Sequence, residues 1–147
     1  MLNLEIDEKM FYDYDSLLQR LYQKVPKPAS SGERFELPKF QLHYVGNQTI
    51  IRNFKEVADL LRREPEMLQR YLLRELATAG NYDPNSGILT INTKISSSTL
   101  TQILERFVAN YLICPTCGRP DTRILRKGKM WTLKCDACGA EQPVKPF

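Results

Sequence analysis

All four cysteines of this 147-residue chain fall in two CxxC pairs, Cys114-Pro-Thr-Cys117 and Cys135-Asp-Ala-Cys138, with seventeen residues between them. A CxxC turn folds two thiolates onto one side of a tight knuckle, and two facing knuckles supply four sulfurs to a tetrahedral Zn²⁺. Gly118 and Gly139 each follow the second cysteine of a knuckle, where the backbone needs positive φ and close approach to the metal. Disulfides would need an oxidising compartment, and nothing in the sequence directs export. A redox CxxC would need a thioredoxin-like context, which is absent. With no ligand position left open, one structural Zn²⁺ is expected at Cys114, Cys117, Cys135 and Cys138.

Other chemistry is sparse. The one histidine, His43, sits in a strand pattern with no acid or nucleophile motif beside it. The run Ser96-Ser-Ser-Thr99 suits helix capping better than nucleophilic attack. Gly128-Lys129 lacks the upstream glycine and the Ser/Thr of a phosphate-binding P-loop. A binding or assembly role, not an enzyme, is the expectation.

From Cys114 onward seven Lys/Arg stand against three acids, so the whole formal charge of +4 lies in this last segment. Four thiolates and one Zn²⁺ would lower it by two. Arg123, Arg126, Lys127 and Lys129 cluster around a hairpin tip, where they can reach RNA phosphates without reading bases. A solvated surface on a small domain explains the same charges.

The elements that must position the cysteines come next. A segment of 34 residues is too small to stabilise an apolar core without a staple, so a zinc mini-domain is expected over 113–147. Thr122–Lys127 and Met130–Lys134 flank Gly128-Lys129 as a hairpin, and a short strand near Val144 completes a zinc ribbon. Before it, 34–112 reads as a central α+β domain. Phe40, Leu42 and Tyr44 alternate as a strand, Gly46-Asn47 turns, and Thr49-Ile50-Ile51 returns. Asn53 and Glu56 form a capping-box pattern for a helix burying Phe54, Val57, Ala58 and Leu61. Pro65 restarts a helix that buries Met67, Leu68, Tyr71, Leu72, Leu76 and Ala79, with Gly80 as its C′ residue. Residues 81–87 read as a loop and 88–92 as a strand. The last helix, capped from the Ser96–Thr99 run, lines Leu100, Ile103, Leu104, Phe107, Val108 and Tyr111 on its inner face.

The N-terminal segment, 1–25, ends in a helix over Asp13–Val25 stopped by Pro26. Tyr14, Leu17, Leu18, Leu21, Tyr22 and Val25 share one face, and the Pro/Ser/Gly-rich stretch 26–33 reads as a linker. A helix this short is marginal alone, so its stripe needs a partner. The chain's own core is one candidate; the linker favours a different chain. The N-terminus lacks the basic, apolar pattern of a signal peptide, and no run reaches the roughly 20 apolar residues of a membrane span. A soluble, cytoplasmic protein is expected.

Phe35-Glu-Leu-Pro-Lys39, Thr49-Ile-Ile-Arg-Asn-Phe54, Tyr71-Leu-Leu-Arg-Glu-Leu-Ala-Thr-Ala-Gly80 and the CxxC pairs, in this order, resemble the beta subunit of archaeal translation initiation factor 2. The resemblance covers about Asp13 to Ala140. It implies a heterotrimer whose gamma subunit is the GTPase that carries initiator methionyl-tRNA to the small ribosomal subunit, with alpha and beta as auxiliary subunits. It also implies that the N-terminal helix docks on gamma through Tyr14, Leu17, Leu18, Leu21 and Tyr22. The eukaryotic counterpart carries lysine-rich N-terminal blocks with no match before Asp13, so the partners of those blocks do not carry over. A GTPase-activating relative, the N-terminal part of eukaryotic initiation factor 5, shares the central domain and ribbon but lacks the helix and linker. A free-standing nucleic-acid-binding zinc ribbon fits the cysteines and leaves the first 113 residues unexplained.

Overall fold

The structure, a computed structural model, describes residues 13–25 and 35–147. The expected linker at 26–33, the helix stop at Pro26 and residues 1–12 of the N-terminal segment lie outside the described residues. The chain divides into two compact units: the first holds the N-terminal helix, and the second everything from residue 35 onward.

The N-terminal helix, α1, spans Tyr14–Lys24. Asp13 caps it, accepting from the Ser16 backbone N–H at 3.2 Å and its hydroxyl at 2.8 Å. Asp15 in the first turn and Lys24 in the last complement the helix dipole. None of its residues is buried.

In the second unit a four-stranded antiparallel sheet runs in the order β1-β2-β4-β3, from β1 (Leu42–Val45), β2 (Gln48–Ile51), β3 (Gly80–Asp83) and β4 (Ile88–Ile91). The Gly46-Asn47 turn puts Val45 opposite Gln48, as the hairpin pattern predicts. Helices α2 (Phe54–Leu60), α3 (Pro65–Glu75) and α4 (Ser97–Tyr111) supply most of the core. All six predicted inner positions of α4 are buried, and the Ser96 side chain caps it by accepting from the Thr99 N–H. The α+β class stands.

Three local expectations are corrected. Asn53 precedes α2 but makes no side-chain cap bond. Its amide instead accepts from Gln41 N–H at 2.8 Å and donates to Lys39 C=O at 2.9 Å, tying the helix start to the segment that leads into β1. Gly80 is not the C′ residue of α3. Ala77 is, with φ of 48°, its N–H bonding Arg74 C=O and the next N–H, of Thr78, bonding Leu73 C=O. The helix therefore ends three residues sooner than the glycine suggests, and Ala79 is exposed. Gly80 opens β3, so residues 81–83, read as part of a loop, are strand instead; a Cβ at Gly80 would meet Thr90 O at 2.6 Å and Leu73 Cδ2 at 2.8 Å. Close packing against β4, not helix termination, requires this glycine.

The C-terminal segment is a three-stranded antiparallel sheet, β5 (Thr122–Lys127), β6 (Met130–Cys135) and β7 (Glu141–Val144), in that order. It packs directly on the central region. Phe147 sets its ring among Tyr71, Tyr111 and Trp131 at centroid distances of 5.0–5.1 Å. The Tyr111 hydroxyl donates to Lys145 C=O at 2.9 Å.

Candidate metal centre

The two knuckles close with the same pair of backbone bonds. Gly118 N–H donates to Cys114 C=O and Gly139 N–H to Cys135 C=O, at 2.8 and 3.0 Å. Cys114 N–H then donates to Arg119 C=O and Cys135 N–H to Ala140 C=O, at 3.0 and 2.9 Å. Both turns need the positive φ of their glycines, 69° at Gly118 and 75° at Gly139. The result points four sulfurs at one point. Cys114 and Cys138 Sγ lie 3.7 Å apart, Cys117 and Cys135 Sγ 3.6 Å, and all four lie within 4.8 Å of one another. A ZnS₄ tetrahedron with bonds of about 2.3 Å has edges of about 3.8 Å. The four clustered cysteines can hold a metal ion, and their spacing suits zinc.

The electrostatics of the thiols point the same way. Backbone N–H donation, first from Cys117 and then from Thr116, pulls the Cys114 thiol down to about 6. At Cys117 the Arg119 N–H acts in the same direction, but burial and the neighbouring thiols outweigh it and push the group up to about 12. At Cys138 the Ala140 N–H favours the thiolate, and burial and Cys135 overcome it to raise this group as well. One thiolate thus forms readily, and further negative charge in so small a space calls for a cation.

The basic hairpin is less free than its sequence suggests. Arg123 pairs with Asp136 at 2.9 Å, and Arg126 pairs with Glu64 at 2.9 Å while lying 5.0 Å from the Trp131 ring centre. Lys127 and Lys129 are exposed, and their side chains form no hydrogen bond or close ion pair among the described residues. On α1, Tyr14, Leu17, Leu21 and Tyr22 are 42–73% exposed and Leu18 is half-buried. His43 is exposed in β1. No described helix is long and apolar enough to cross a membrane.

Arg63 carries no sequence signal that separates it from exposed Arg62, yet it is 7% exposed. Its guanidinium donates to Tyr111 C=O and Thr122 C=O at 2.7 Å, to Thr122 Oγ1 at 2.8 Å and to Arg62 C=O at 3.0 Å. Thr122 Oγ1 in turn donates to Leu112 C=O. Burial lowers the guanidinium to about 10, so it remains charged at neutral pH. One side chain joins the α2–α3 turn, the end of α4 and the start of the ribbon.

A three-helix α+β domain carrying a Cys₄ ribbon defines the class, and the chain matches the family described as a domain found in initiation factors 2B and 5 over residues 26–141. It is similar to proteins named translation initiation factor 2 subunit beta. The one from Aeropyrum pernix is 48% identical, covering 98% of this chain and 97% of that protein. Those from Sulfolobus acidocaldarius and Thermofilum pendens are 45% and 44% identical, covering 95% and 93% of this chain and 98% and 97% of theirs. The chain belongs to the translation initiation factor 2 beta-subunit family. The Aeropyrum alignment spans 144 residues and so includes α1.

Proposed function

We propose that this chain is the non-catalytic beta subunit of a heterotrimeric, GTP-dependent initiation factor, acting in the cytoplasm. In this reading the gamma GTPase subunit and alpha complete the complex, which delivers initiator methionyl-tRNA to the small ribosomal subunit. One structural Zn²⁺ sits on Cys114, Cys117, Cys135 and Cys138, and the ribbon's Arg123, Arg126, Lys127 and Lys129 face RNA phosphates. The observation that carries the reading is α1: an amphipathic helix with a proper cap, an apolar stripe and no buried residue. Such a helix suits a groove on another protein, and family membership supports gamma as that protein.

The test is Leu17→Asp with Leu21→Asp. Fully burying one leucine contributes about 1.5–3 kcal/mol, so losing two weakens binding by at least ~10²-fold. Each aspartate adds an unpaired carboxylate in an apolar groove. Lost capture by gamma with an unchanged melting temperature is expected. Retained capture with a lowered melting temperature would return the stripe to the chain's own core and refute the anchor.

A further inference from the structure

Within each knuckle the two cysteines differ in their access to solvent. Cys114 and Cys135, the first of each pair, are buried; Cys117 is half-buried and Cys138 is exposed. The sulfur–sulfur hydrogen bonds run crosswise to the knuckles. Cys138 Sγ lies 3.7 Å from Cys114 Sγ, and Cys117 Sγ lies 3.6 Å from Cys135 Sγ. Each more accessible cysteine therefore has beside it a buried sulfur of the opposite knuckle. That is the arrangement of an oxidisable thiol with its resolving thiol, present twice.

We propose, on the zinc reading of the site, that the four cysteines form a peroxide-responsive switch, in which the metal gives way to two disulfides between the knuckles, Cys114–Cys138 and Cys117–Cys135. The oxidant is a hydroperoxide. The Cys138 sulfur attacks one peroxide oxygen, the O–O bond breaks, hydroxide leaves and a sulfenic acid remains. The Cys114 sulfur then attacks the Cys138 sulfur; the S–O bond breaks and a second hydroxide leaves as the S–S bond forms. One peroxide is reduced by two electrons, and two thiolates are oxidised by one electron each. Cys117 and Cys135 repeat the sequence with a second peroxide. Each disulfide takes away two of the four ligands, so the metal is released.

The crosswise pairing decides what happens to the fold. A disulfide inside a CxxC turn would tie residues that the Gly118 and Gly139 N–H bonds already hold together, leaving the knuckles free to part. Bonds between the knuckles close the chain across the ribbon, as a metal on the same sulfurs would. Cys135 then stays opposite Thr122 in the β5–β6 register, and Trp131 stays against Phe147. Charge changes as well. Four thiolates and one divalent cation sum to −2 and two disulfides to zero, so oxidation leaves the ribbon more positive by two. A dithiol reductant supplied with zinc reverses both changes.

The test uses the full zinc-loaded chain, hydrogen peroxide, a colorimetric zinc chelator and non-reducing peptide mapping. Trypsin leaves Cys114 and Cys117 on one peptide, 107–123, and Cys135 and Cys138 on another, 135–147. Zinc release is expected to rise in step with these two peptides appearing as one disulfide-linked mass, with Trp131 emission still that of a buried indole. Fragmentation of the linked pair should join Cys114 to Cys138 and Cys117 to Cys135. Cys138→His keeps four metal ligands while removing the exposed sulfur, and should slow zinc release at least ~5-fold. Separate peptides with internal disulfides, zinc retained under excess peroxide, exposure of Trp131 on oxidation, or wild-type release from Cys138→His would each overturn the proposal. If Cys138→His does not take up zinc, the peptide map of the unaltered chain decides alone. Zinc content before oxidation tests the metal reading separately: a chain that binds no zinc refutes that reading, whereas a zinc-loaded chain whose sulfurs pair within the knuckles refutes only the switch.

Discussion

Arg63→Ala tests how the ribbon is held on the central domain. The substitution removes donors from Tyr111 C=O, Thr122 C=O and Thr122 Oγ1, all at 2.7–2.8 Å. A hydrogen bond from a charged donor contributes about 1.5–3 kcal/mol, but burying the charge costs part of that, and water entering the vacated space restores part of the bonding. A net loss of about 2–4 kcal/mol follows, within the 5–15 kcal/mol typical of a domain, so the chain still folds. The single tryptophan makes the effect separable. Trp131 lies in β6, buried against Phe147, so its fluorescence reports on the ribbon and its seat. Circular dichroism, with three helices in the central region, weights that region instead. In urea, with a slope of about 2 kcal/mol per molar, the Trp131 transition should move down by about 1–2 M. The dichroism transition should move less. Arg63→Lys should rescue little, because an ammonium cannot span two carbonyls as the guanidinium fork does. Coincident transitions with an unchanged midpoint would refute the reasoning and leave the aromatic seat as the whole of the attachment.

The local corrections make opposite predictions for two residues close in sequence. Ala77→Gly relieves a positive φ and should stabilise the chain by about 0.5–1 kcal/mol in the same urea assay. Gly80→Ala should destabilise it by at least about 2 kcal/mol, since the new methyl meets the Thr90 carbonyl, which belongs to the paired strand and cannot step aside. For the metal, elemental analysis should find one zinc per chain. Because Cys117 and Cys138 are raised, zinc binding at neutral pH must displace their protons. Affinity should therefore rise with pH, and a pH indicator should register at least two protons released per zinc. Cys135→Ser should abolish stoichiometric zinc and expose Trp131 while the central sheet persists.

What was legible in the sequence and what was not divides by range. The α4 face and its Ser96 cap are readable because every partner lies within four residues along the chain. The cysteine quartet is readable because two knuckles, each closed locally, leave little freedom in where the sulfurs go. Asn53 misleads because its local pattern fits a capping box while its side chain serves Lys39 and Gln41, more than ten residues upstream. Gly80 misleads because a glycine near a helix end has two uses, and only the position of β4 decides between them. Arg63 is the extreme case. Arg62 and Arg63 share one local context, yet Arg62 takes the left-handed C′ position and points outward, while the next residue turns into the interface. No local signal distinguishes the two.

The candidate metal centre and the Arg63 hydrogen-bond cluster are tied through one short stretch of backbone. Thr122 is paired in register with Cys135, and Asp136 N–H donates to Asp121 C=O at 2.8 Å. Thr122 also supplies two of the acceptors that hold Arg63, and Arg123, the next residue, pairs with Asp136 beside the second knuckle. A cation gathered by the four thiolates would therefore restrain the backbone where β5 leaves the knuckle, and with it the Thr122 oxygens that reach Arg63. A cation on the four sulfurs would thus do more than substitute for a missing apolar core: it would steady the backbone from which Thr122 holds the Arg63 guanidinium.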